Sequence, residues 1–138
     1  MKFVKLFSWM LVCVLSVGLM GCDSKQEKAA KGMIDLLDDY ADELEGIKSN
    51  TEYLDAKPKL EKLQAKLKDH MNENKDLPKL SSDEEKKLQE KYKSEFKKVG
   101  DRLASEAKRL QKIGVTDPDL MGLMFMGMAF EKGFDGKD

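Results

Sequence analysis

From residue 88 onward the apolar residues return every third or fourth position: Leu88, Tyr92, Phe96, Val99, Leu103, Ala107, Leu110 and Ile113. A mean spacing of about 3.6 residues marks an amphipathic α-helix, because a strand would alternate every second residue. At ~1.5 Å per residue the helix is about 45 Å long. A stripe of that length cannot stay in water and must be covered by other helices. Ser82 followed by Asp83, Glu84 and Glu85 reads as a capping box with acid in the first turn, and Gly114 as the residue that stops the helix. Gly100 falls within it, where a missing side chain permits a close helix contact.

Two further stripes precede it. Met33, Leu37, Tyr40, Leu44 and Ile47 line one face of a first helix. Ala56, Leu60, Leu63, Leu67 and then His70 or Met71 line a second, with Thr51 as the expected N-cap. Pro58 predicts an irregular first turn or kink there, and Leu77-Pro78 a stop. Charged residues make up 37% of the chain and aromatics 7%, which suits long helices with solvated outer faces. The expected fold is therefore all-α, an antiparallel bundle of three to four helices over about 27–48, 51–74, 82–113 and 117–131. Basic and acidic residues are interspersed and the formal charge is −1, which argues against nucleic acid as a partner.

The fourth segment differs from the others. Thr116-Asp117-Pro118-Asp119 reads as a helix start capped by Thr116. Residues 120–130 are then apolar on every side, yet too few to cross a bilayer. Leu120, Leu123, Phe125 and Phe130 are the expected contact residues, closing the core and meeting a protein partner or dipping into the anchoring membrane.

The amino terminus carries a different signal. Lys2 and Lys5 precede a run from Leu6 to Gly18 that is apolar apart from Ser8 and Ser16, the pattern of a secretory signal. The next residues, Leu19-Met20-Gly21-Cys22, resemble the lipobox of bacterial lipoproteins, with Met20 departing from that family's usual residues. The resemblance covers residues 1–22. It implies removal of residues 1–21, a diacylglycerol on Cys22 and attachment to a membrane on its extracytoplasmic, periplasmic face. Asp23 resembles the inner-membrane retention signal of enterobacterial lipoproteins. Residues 22–31 would then form a lipidated tether and residues 32–138 the bundle domain. The second cysteine, Cys13, would leave with the signal, so the mature chain would hold no free thiol.

The chemistry-bearing residues are sparse. There is one histidine and no glycine-rich phosphate loop, and the paired carboxylates sit where helix surfaces and caps place them. The expectation is a non-enzymatic protein without a cofactor. Two alternatives compete with it. Met121, Met124, Met126 and Met128 could bind Cu(I) through soft thioethers, with His70 as a further ligand; interspersed Leu and Phe favour packing instead. The layout also resembles the small periplasmic four-helix b-type cytochromes. That likeness implies a haem ligand at Met33, but the histidine those proteins carry near the end of the last helix is missing.

Overall fold

The computed structural model describes residues 25–78, 81–123 and 125. Three long helices account for most of them: α1 (Lys25–Glu45), α2 (Asn50–Asn74) and α3 (Ser82–Lys112). Residues 118–123 form a further helical stretch. The protein is an all-α bundle. Among the described residues no helix is long and apolar enough to cross a membrane.

Side-chain bonds fix the directions. His70 of α2 meets the Ala29 carbonyl at 2.8 Å, Gln64 donates to the Tyr40 hydroxyl at 3.0 Å, and Lys59 pairs with Glu43 at 3.4 Å. As α1 ascends α2 descends, so the two are antiparallel. Against α3 the order is reversed: Glu27 pairs with Lys91 at 3.0 Å, Asp38 with Arg102 at 3.4 Å, and the Leu44 carbonyl accepts from Arg109 at 2.8 Å. Thus α1 and α3 run parallel, as an up-down-up chain requires. Helix α1 is the hub, packed extensively on both α2 and α3.

The burial pattern follows from that position. Helix α1 buries Ala30, Met33, Ile34, Leu37, Tyr40, Ala41 and Leu44, a stripe wide enough to meet two neighbours. Helix α2 buries only Tyr53, Leu60 and Leu67, one residue per heptad. Helix α3 buries Tyr92, Phe96, Val99, Gly100, Leu103, Ala107 and Leu110, the stripe expected from its periodicity.

Several boundaries differ from expectation for local reasons. Residues 25–31, expected to be tether, are the first turns of α1, with Gln26 and Ala30 buried. Helix α1 ends at Glu45, and Arg109 reaches across to donate to the Leu44 and Ile47 carbonyls there, at 2.8 and 2.7 Å. Ser49, rather than Thr51, caps α2, accepting from the Glu52 N–H at 3.1 Å, while the Glu52 carboxylate takes the Lys48 N–H at 2.7 Å. Helix α2 continues through Pro58 without interruption. Ser81 rather than Ser82 is the N-cap of α3, its N–H and hydroxyl both donating to the Glu84 carboxylate at 3.1 and 2.7 Å.

Candidate functional site: the turn and helix after Lys112

Gly114 adopts a φ of +94°, a left-handed conformation that favours glycine. The turn it makes is a Schellman motif. The Val115 N–H donates to the Leu110 carbonyl at 3.1 Å and the Gly114 N–H to that of Gln111 at 3.1 Å. Val115 and Leu110 are both fully buried, supplying the apolar contact that accompanies such turns.

Asp117 then does two things at once. Its Oδ1 accepts the Asp119 N–H at 3.0 Å, which caps the new helix in place of the expected Thr116. Its Oδ2 accepts from the Tyr53 hydroxyl at 2.9 Å and the Lys57 ammonium at 3.3 Å, which fastens that helix to the start of α2. Burial works to raise the Asp117 pKa. The hydrogen bonds from the Asp119 N–H, Tyr53 and Lys57 outweigh it and hold the carboxyl below its ordinary value. Burial pushes the Tyr53 phenol well up, and its bond to Asp117 adds to this. Tyr40 is pushed up to about 12, mainly by burial and further by Asp119 and Asp117, against the opposing hydrogen bond from Gln64.

The next residues divide by side. Leu120 and Leu123 are each 1% exposed and belong to the core, whereas Met121 is 53% and Phe125 54% exposed. Leu120 and Leu123 therefore lie within the core. Their bulk is spent closing the bundle. Met121 and Phe125, four residues apart on one helical face, remain outward. Phe130, Met124, Met126 and Met128 lie outside the described residues, as does Cys22.

The other candidate ligands are elsewhere. The His70 ring packs on Gly32 and hydrogen-bonds the Ala29 carbonyl. It sits about 20 Å along α2 from Lys57, which holds Asp117. Met33 is 2% exposed within the core. Among the described residues no cluster of His, Cys, Asp or Glu could hold a metal ion.

Sequence reasoning missed the Tyr53–Asp117–Lys57 group. A usable signal existed: Tyr40 and Tyr53 carry hydroxyls at positions that bury, and a buried hydroxyl calls for a partner. No family model matches the chain, and no curated protein or solved structure matches it either.

Proposed function

We propose that this protein is a lipid-anchored helical bundle on the extracytoplasmic, periplasmic face of a membrane, with a non-catalytic role in structure or protein interaction. The observation that carries the reading is Leu19-Met20-Gly21-Cys22 shortly ahead of a helical bundle whose described residues begin at Lys25 in α1. Asp23 favours the inner membrane. The interaction half is supported by Met121 and Phe125, two large apolar side chains left outward beside the buried Leu120 and Leu123.

Mass spectrometry of the membrane-extracted protein tests the anchor. The expected amino-terminal peptide begins at Cys22 and carries diacylglycerol, and Cys22→Ser moves the chain out of the membrane fraction. An unmodified Cys22 in a chain that keeps residues 1–21 overturns the reading. For the interaction half, Met121→Asn with Phe125→Asn should keep the melting temperature and abolish a crosslink formed from that face in cells. A crosslinked partner retained by this variant removes the support those residues give.

A further inference from the structure

We infer that Met121 is an oxidation site, at which a peroxide converts the thioether to the sulfoxide and turns the face shared with Phe125 from apolar to polar. The modification stands on the fold of this segment. Its consequence, the loss of a contact at that face, rests on reading the face as an interaction surface. Three methionines lie among the described residues, and the fold gives each a different exposure. Met33 is 2% exposed on the buried stripe of α1, Met71 is half-buried against the core near the end of α2, and Met121 is 53% exposed.

With hydrogen peroxide, a sulfur lone pair takes one oxygen of the oxidant. An S–O bond forms as the O–O bond breaks, sulfur gives up two electrons, and the peroxide is reduced to water. The oxidant must reach the sulfur, so the rate follows exposure. Met121 is open to it in the closed bundle. Met33 becomes accessible only when α1 parts from its neighbours. Reduction by a methionine sulfoxide reductase returns the thioether, so the change is reversible.

The fold also decides what each sulfoxide costs. At Met33 the new oxygen would enter an apolar stripe between Ala30 and Leu37 and lose its water. At Met121 it stays in water. The groups that seat the segment lie elsewhere: Leu120 and Leu123 are each 1% exposed in the core, the Gly114 turn bonds back to Gln111, and Asp117 bonds Tyr53 and Lys57. The segment therefore keeps its place while its outer surface changes character. Phe125, 54% exposed, lies one turn further along that surface. A sulfoxide beside it puts a hydrated dipole where an apolar side chain of a partner would pack, and burying that dipole unpaired is unfavourable.

Hydrogen peroxide is added to the full chain extracted from membranes in detergent, and the sulfoxides are mapped by mass spectrometry over time. Met121 should convert at least about ten times faster than Met33, with Met71 between them. Conversion of Met121 slower than that of Met71 overturns the oxidation site. Met121→Gln, which places a polar oxygen at a similar reach, should keep the melting temperature; a clear fall overturns the tolerance of the fold for the sulfoxide. The switch is read in cells with benzoylphenylalanine in place of Phe125. Its crosslink to a partner should be lost after peroxide treatment and retained in Met121→Leu, which has no sulfur at that position. Loss in both chains, or retention in both, overturns the switch. Untreated cells separate the two levels. A chain whose Met121 oxidises but that gives no crosslink without peroxide fails the interaction reading and the switch with it, and leaves the oxidation site standing.

Discussion

The contact between Tyr53 and Asp117 gives a quantitative test of how the end of the chain is held. The Tyr53 hydroxyl donates to the carboxylate at 2.9 Å in a region where Tyr53 is 4% exposed. A hydrogen bond to a charged group contributes ~1.5–3 kcal/mol. Tyr53→Phe should therefore cost about 1.5–2 kcal/mol, leaving Asp117 its other partners. Asp117→Ala removes the same bond, strands the buried hydroxyl and deletes a helix cap that contributes about 1 kcal/mol. The Lys57 pair adds under ~1 kcal/mol, since the lysine side chain is 44% exposed. The expected loss for Asp117→Ala is about 3–4 kcal/mol. Because the bond can be lost only once, the double variant should fall short of additivity by about 1.5–2 kcal/mol. Urea unfolding followed by helical circular dichroism, on the chain without residues 1–22, measures all four corners of the cycle. Additivity within ~0.5 kcal/mol would refute the contact.

Three further outcomes follow from other parts of the bundle. A Cβ on Gly32 would lie 2.6 Å from His70 Cε1, so Gly32→Ala should gain little or lose stability alone, yet stabilise by about 1 kcal/mol in a His70→Ala background, where helix propensity acts unopposed. The same unfolding assay reads this; equal effects in both backgrounds would contradict the close approach. Tyr40 titrates at about 12 in the fold against an ordinary 10.0. Its raised pKa contributes stability that is fully present below pH ~10 and lost as the pH rises through the folded value; Tyr40→Phe should flatten an alkaline unfolding curve over that window. Arg109→Ala removes the donors to the Leu44 and Ile47 carbonyls and should cost about 2–3 kcal/mol in thermal unfolding. Arg109→Lys should restore only part of it, because an ammonium lacks the guanidinium fork.

How much of this was legible in the sequence depends on distance along the chain. The stripe from Leu88 to Leu110 and the stop at Gly114 are local features, and both appear where periodicity and glycine conformation place them. The caps slipped by one or two residues, to Ser49, Ser81 and Asp117, because each lies beside another residue of similar capping chemistry. Residues 25–31 looked like tether because they lack an apolar stripe. They fold because Ala30 is small enough to pack and Gln26 is buried with it. The parallel direction of α1 and α3 follows from an antiparallel bundle, but the place of α1 between the other two and its register on α3 were not legible. A stripe states which face of a helix is buried, not which helix covers it, and the bonds that fix the register join residues more than sixty positions apart.

The same limit explains why the apolar end of the chain was the hardest part to read. A run apolar on every side has no moment to say which residues turn inward, so Leu120, Leu123 and Phe125 looked alike. The direction is set by Asp117, whose carboxylate both starts the helix and ties it to Tyr53 and Lys57. Once that corner is fixed, a rotation of ~100° per residue sends Leu120 and Leu123 into the core and leaves Met121 and Phe125 outside. The polar residue therefore decides which apolar residues build the fold and which remain to meet something else. Removing the segment to test for a partner would remove both sets together. A cut at residue 116 would take Leu120 and Leu123, each contributing ~1.5–3 kcal/mol through burial, along with the Asp117 bonds. That sum approaches the whole stability of a small domain, ~5–15 kcal/mol. A truncated chain that lost a partner would have lost its fold as well. Only substitutions confined to Met121 and Phe125 separate the two roles.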